Sequence, residues 1–308
     1  MPRANPSQLW VISVNYESYL STEVKRFIAE TEALYPADID LSNWAEVRAV
    51  YDRMCAAFRG PRPQGLQVID HKIAGVPVRT YAETSEVTIL FAHGGGFVVG
   101  GLDSHDDLCA DLADRAGCQV VAVDYRLSPE NKHPAAYDDL IRVAEMLCPQ
   151  GRVILCGDSA GGTLCAAVAG TRADLGFRGQ VLIYPMLGYT VQGGSFHQHA
   201  LAPMLTTAEL SVYAEARGGA PDDPTAIPAL GDLAQLPPTR LFPAECDPLC
   251  DDAVRYNDAA VAAGANSSVT VQMGMVHGWQ RGRRNGPKMG ACFDQIVTAL
   301  RDLASHRA

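Results

Sequence analysis

A serine between glycines is the first residue in this sequence whose surroundings could do chemistry. Gly157-Asp158-Ser159-Ala160-Gly161-Gly162 fits G-x-S-x-G, with the apolar run VILC before it and LCAAVAG after it. A strand that enters a tight glycine turn and leaves as a helix lifts the serine hydroxyl above the sheet. Gly157 and Gly161 are small because the backbone of such a turn passes close by. The plain reading is a glycine-rich turn and nothing more; the strand–turn–helix context favours a nucleophile. A serine hydroxyl is a poor nucleophile at neutral pH, so a base must lie beside it.

In chains built around this turn the partners follow in the order serine, acid, histidine. Four histidines lie downstream, at 197, 199, 277 and 306. His197 and His199 belong to a long irregular stretch, and His306 to the chain end. His277, in Met275-Val-His-Gly-Trp279, follows the last strand, where a loop at the carboxyl end of a sheet carries functional groups. It is the expected base. The acid must hold the imidazole in the correct tautomer. Asp247 follows the strand LFPAE directly and is the expected acid. Asp251 and Asp252 are rivals, read instead as cap and first-turn residues of the next helix, and Glu245 still belongs to the strand. An ester's tetrahedral intermediate also needs N–H donors for its oxyanion. His93-Gly94-Gly95-Gly96, after the strand TILFA, can supply them, together with the N–H of Ala160. A triple glycine could instead cradle phosphate, but no G-x-x-x-x-G-K-[ST] motif is present.

These residues need a scaffold. Residues 1 to about 60 read as helical, with one candidate over Tyr19–Tyr35 and a second capped by Ser42 and running to about Phe58. Gly60-Pro-Arg-Pro-Gln-Gly65 breaks the pattern. Leu66–Ile73 and Val76–Ala82 read as a hairpin around Ala74-Gly75. Apolar strands then alternate with helices. The strands are Val87–Ala92, Gln119–Val123, Arg152–Cys156, Gln180–Tyr184, Arg240–Ala244 and Ser268–Met273. The helices are about Ser104–Ala116, Pro134–Leu147, Ala160–Arg172, Asp251–Ala263 and Pro287–Ala304. This is an α/β pattern with a mostly parallel central sheet and helices on both faces. Met186 to about Pro238 interrupts it with a Gly- and Pro-rich stretch holding one helix, Thr206–Ala216; a connection this long is usually a lid or cap.

Composition narrows the function. Over 308 residues, 47% are hydrophobic and 19% charged, as in an ordinary globular chain. The net charge of −10 repels phosphate backbones, so nucleic acid is not an expected partner. No window approaches a membrane span and no signal peptide is read at the amino terminus, so no membrane partner is expected. Nine cysteines, an odd number at scattered spacing, do not form a disulfide framework and point to a reducing cytoplasm. Cys156 and Cys165 read as packing residues. His197 and His199 lack the further ligands of a metal site, so no metal and no cofactor is expected. His105-Asp106 reads as a helix start.

Six motifs then appear in order: HGGG at 93–96, YRLSPE at 125–130, HPAAYDD at 133–139, GDSAGG at 157–162, DPL at 247–249 and HGW at 277–279. Together they resemble the bacterial hormone-sensitive-lipase-like carboxylesterases, the G-D-X-G lipolytic family, over about residues 60–305. The resemblance implies an α/β-hydrolase fold with a helical cap. The cap would combine residues 1–60 with 186–230, leaving 61–308 as the catalytic domain. It assigns the oxyanion donors to Gly95 and Gly96 and makes Tyr125 to Glu130 a brace for the nearby loop. His133 stands where an aromatic is common and Trp279 where Phe is common, which bears on pocket shape and not on the triad. The resulting expectation is a carboxylesterase acting on short-chain acyl esters. Its partner is a small-molecule ester, and a homodimer is left open. An amide or N-acetyl hydrolase would use the same triad. A non-catalytic binding relative would not need one, and here all three members are present.

Overall fold

In a computed structural model of the chain, residues 14–36, 39–40, 43–81, 85–150, 152–189 and 194–305 are described. The predicted cap residue Ser42, the strand end at Ala82 and His306 lie outside these residues, as do parts of both predicted cap stretches. Among the described residues ten strands occur, in the order β1 Val68–Ile73, β2 Val76–Tyr81, β3 Val87–Ala92, β4 Gln119–Val123, β5 Arg152–Asp158, β6 Gly179–Ile183, β7 Thr239–Phe242, β8 Ala244–Cys246, β9 Ser267–Val269 and β10 Gln272–Val276. Eight of them form one sheet in the order β1-β2-β4-β3-β5-β6-β7-β9. β1 and β2 are antiparallel, and β2 meets β4 antiparallel. All pairs from β4 to β9 are parallel.

The parallel strands are apolar on both sides because helices cover both faces. Successive side chains alternate between them. Ile89 and Phe91 of β3 join a core with Leu112 of α4 (Asp106–Ala116) and Phe293 of α10 (Pro287–Ser305). Leu90 and Ala92 face Leu140 of α5 (Ala135–Leu147), Leu164 of α6 (Ala160–Thr171) and Tyr256 of α9 (Cys250–Ala262). The remaining helices are α1 Tyr16–Tyr19, α2 Thr22–Glu32, α3 Trp44–Phe58, α7 Ser195–Gln198 and α8 Thr207–Arg217.

Several predicted bounds are corrected. The helix read at Tyr19–Tyr35 is shorter, Thr22–Glu32, because Leu20 is extended at ψ 145° and parts it from α1. α3 is capped by the Asn43 side chain, which accepts from Glu46 N–H. The strand read at Arg240–Ala244 is two, β7 and β8, parted by Pro243, which has no N–H to donate. The strand read at Ser268–Met273 also parts, into β9 and β10, at Thr270 and Val271. Asp251 and Asp252 do stand in the first turn of α9, but the cap position is Leu249. Asp252 instead accepts from Leu187 and Tyr189 N–H, each at 2.7 Å, and so anchors the start of the long insertion.

Two outer pieces close over the sheet's carboxyl edge. Arg48 of α3 donates to the Val98 and Ser128 carbonyls at 2.8 and 2.9 Å and pairs with Glu130. Val47 and Ala216 pack with Val98 and Val99 in a small third core, which joins α3 and α8 to the glycine loop after β3.

Candidate active site

Three loops at the carboxyl ends of parallel strands converge. Ser159 follows β5 at φ 50° and ψ −121°, a positive-φ conformation that a non-glycine residue adopts only under constraint. Its N–H donates to Ile183 O at 2.9 Å, and its own carbonyl takes Thr163 N–H at 2.9 Å. Gly161 lets this turn exist: a Cβ there would meet Ala92 O at 2.0 Å. Asp247 follows β8 and His277 follows β10, two strands that pair in parallel and so bring their ends together.

The geometry is continuous. Asp247 Oδ2 lies 2.6 Å from His277 Nδ1, and His277 Nε2 lies 2.9 Å from Ser159 Oγ. Asp247 is 1% exposed, and its other oxygen accepts from Leu249 N–H at 2.9 Å, which fixes the carboxylate. The rivals are elsewhere. Asp251 accepts from Ser195 N–H, and Glu245 takes the Tyr19 hydroxyl and Gly274 N–H. His199 bonds the Tyr16 hydroxyl at 2.8 Å.

The glycine loop borders the same serine. Gly95 and Gly96 hold φ of 124° and 58°. Asp158 Oδ1 takes Gly94 N–H at 2.8 Å. Among the described residues no acceptor takes the N–H of Gly95, Gly96 or Ala160. The loop is braced from below as the resemblance implied: the Tyr125 hydroxyl donates to His93 O at 2.6 Å, and Ser128 N–H donates to Phe97 O at 2.9 Å. His93 is buried against Tyr125, its ring stacked at 4.1 Å. Burial pushes this imidazole down to about 3, so it is neutral in the fold.

Two residues that sequence reasoning treated as incidental also stand here. His105, read as a helix start, packs its ring beside His93, and its Nε2 lies 3.2 Å from Asp158 Oδ1. Burial lowers the His105 pKa. Burial alone would raise the Asp158 carboxyl, but His105, Arg281 and the Gly94 N–H hold it at about 2. Asp158 was legible only as a letter of the GDSAGG motif. Nothing in the local pattern near 105 or 281 marks either residue as its partner.

Ser159, His277, Gly95 and Gly96 line a cavity of about 990 Å³. Side chains of α2, α3 and α8 wall it on the far side, including Ile28, Met54 and Tyr213. Tyr213 lies directly on the glycine loop: a Cβ on Gly96 would meet its ring at 2.7 Å.

A family model described as alpha/beta hydrolase fold matches residues 89–281, a span holding the glycine loop, Ser159, Asp247 and His277. The esterase LipI of Mycobacterium tuberculosis is 34% identical over 259 residues, 76% of this chain and 81% of that protein. The chain belongs to the α/β-hydrolase family. An acetyl-hydrolase of Streptomyces hygroscopicus is 36% identical over 244 residues, 75% of this chain and 81% of its own length. Among solved structures, an esterase from the bacterial hormone-sensitive lipase family superposes with a TM-score of 0.85 at 28% identity, covering 92% of this chain and 99% of that one. Within the α/β-hydrolases, the chain therefore stands with the bacterial hormone-sensitive-lipase-like esterases.

Proposed function

We propose that this carboxylic ester hydrolase cleaves short-chain acyl esters through an acyl-enzyme on Ser159. The observation that carries the reading is the unbroken hydrogen-bonded chain from buried Asp247 through His277 to Ser159, ending in the cavity. His277 Nε2 takes the Ser159 proton as Oγ attacks the ester carbonyl. The resulting oxyanion is held by the N–H groups of Gly95, Gly96 and Ala160. The tetrahedral intermediate collapses, and His277 returns the proton to the leaving alcohol. Water then attacks the acyl-enzyme, gives its proton to His277, and the free acid and Ser159 are released. Asp247 keeps the imidazole in one tautomer and stabilises its protonated form.

The size preference is read from the roof. The described parts of residues 1–60 and 186–230 act as a cap over the catalytic domain 61–308, since side chains from both line the cavity above Ser159. Tyr213, pressed onto Gly96, limits the room beside the oxyanion donors. The name of the Streptomyces acetyl-hydrolase supports a short acyl group. The nine thiols, none paired with another, suit a cytoplasmic setting. The test is kcat/KM across p-nitrophenyl esters from acetyl to palmitoyl, kept below aggregation. A maximum between acetyl and hexanoyl is expected; a maximum at dodecanoyl or longer rejects the size limit.

A further inference from the structure

Several arginines reach the segment from Asp103 to Asp111, and most of them meet carboxylates there. Arg79 pairs with Asp70, Asp103 and Asp106. Arg62 pairs with Asp106, and Arg283 with Asp107 and Asp111. Arg281 differs. Its Nη1 donates to Ser104 O at 2.9 Å, its Nη2 donates to the Tyr51 hydroxyl at 2.5 Å, and Nη2 also stands 3.4 Å from His105 Nε2. Among the described residues, no carboxylate lies within ion-pair distance of this guanidinium. Asp158 is reached only through His105, and its Oδ1 already takes Gly94 N–H.

The same guanidinium lines the cavity into which Ser159 and His277 open. Arginine carries five N–H donors in a fixed plane, and the contacts above do not use them all. Tyr35 and Tyr213 line this cavity too, and among the described residues neither hydroxyl has a hydrogen-bond partner. The cavity wall thus offers a cation and phenolic donors among apolar side chains such as Met54 and Val99, together with Glu32 and with the carboxylates of Glu17, Asp158 and Glu209, which are engaged by Lys25, His105 and Thr206. Asp158 favours this buried cation from across His105, but no carboxylate among the described residues touches the guanidinium itself. Inside a ligand cavity, a planar guanidinium fits a carboxylate through two parallel hydrogen bonds.

We infer that Arg281 is a specificity residue that binds a carboxylate carried by the substrate away from the scissile ester, so that half-esters of short dicarboxylic acids are preferred over simple acyl esters. The inference rests on the acyl-enzyme reading above and names its substrate class. The chemistry is unchanged: water cleaves the ester, releasing the alcohol and the dicarboxylic acid, while the second carboxylate stays intact on Arg281.

The probes are methyl hydrogen glutarate and methyl hexanoate, acyl chains of similar length with and without a charge. The full chain is assayed by methanol release, and the ratio of kcat/KM for the half-ester over the hexanoate is taken within each preparation. Loss of folded enzyme cancels in this ratio, so a poorly folding variant still reports. The wild-type ratio should exceed one. In Arg281→Met it should fall by about 10- to 100-fold, the range for losing a hydrogen-bonded charge partner, through KM more than kcat. Arg281→Lys, which keeps the charge without the planar fork, should recover part of it. A wild-type ratio at or below one, or a fall of less than about tenfold in Arg281→Met, overturns the inference. Ser159→Ala separates the two readings. If that variant still hydrolyses both esters, the acyl-enzyme reading fails. If it is inactive while the wild-type ratio stays flat, only the role of Arg281 fails.

Discussion

Two histidine–aspartate pairs lie close to the same glycine loop, and they end differently. In the first, Asp247 meets His277 at 2.6 Å, and the outer imidazole nitrogen faces Ser159 Oγ at 2.9 Å. In the second, Asp158 meets His105 at 3.2 Å, and the outer nitrogen faces Ser104 Oγ at 2.8 Å. Both therefore run from carboxylate through imidazole to serine hydroxyl. The difference is what surrounds that hydroxyl. Ser159 sits in a strained turn at the wall of a cavity. Ser104 is buried, and its Oγ is tied on both sides to Gly101, to the N–H at 3.0 Å and to the carbonyl at 2.9 Å. A carboxylate–imidazole–hydroxyl chain is thus no guarantee of a nucleophile. Access and nearby free N–H donors decide it.

The serines separate the pairs most sharply. Ser159→Ala should remove activity on the order of 10⁶-fold in kcat, the scale of a triad knockout. Ser104→Ala should instead weaken the fold by about 1–3 kcal/mol through unpaired neighbours and leave ester turnover in place. Steady-state rates on p-nitrophenyl butyrate, with urea melts of the same samples, check both. Equal losses of activity would erase the distinction.

The acids give the next contrast. Asp247→Asn should lower kcat by about 10⁴-fold, because the amide favours the wrong tautomer of His277. Asp158→Asn touches Gly94 and His105 rather than the base. Its loss in kcat should be smaller and its loss in stability larger than those of Asp247→Asn. The opposite ranking would mean that Asp158, not Asp247, serves the reaction.

The smallest effect concerns pH and the buried histidine between the two pairs. His93 titrates near 3 in the fold and near 6.5 in an unfolded chain. Between those values the unfolded chain binds a proton that the folded one does not, so stability falls as pH is lowered. The slope from this one group reaches about 1.4 kcal/mol per pH unit. The contribution is complete above pH 6.5 and is lost progressively towards pH 3. His93→Gln should make the loss between pH 7 and pH 5 shallower by about 1 kcal/mol per pH unit averaged over that window, measured from urea midpoints. An unchanged slope would mean that His93 is not held neutral by its burial.

The Asp247–His277–Ser159 contacts were legible because each residue sits at a strand end with its own local signature. The Asp247 and His277 loops read directly from the apolar runs LFPAE and VTVQMGMV beside them. The second pair was not legible, because the Asp158–His105 contact joins positions far apart in sequence. Arg281 was missed for the same reason: its partners Ser104 and Tyr51 come from two other segments. Local chemistry also misled where two residues compete equally. Ser42 and Asn43 are both good helix caps, and the side chain that reaches Glu46 N–H belongs to Asn43. The sheet order and the closing of α3 and α8 over Gly96 rest on pairings that periodicity alone does not encode.

The most direct test of the acyl-transfer account is covalent. A fluorophosphonate ester should react with the purified chain once per molecule, abolish ester hydrolysis in step with labelling, and appear by peptide mass on Ser159. Adduct on any other residue, or continued hydrolysis after Ser159 is fully labelled, would contradict the account.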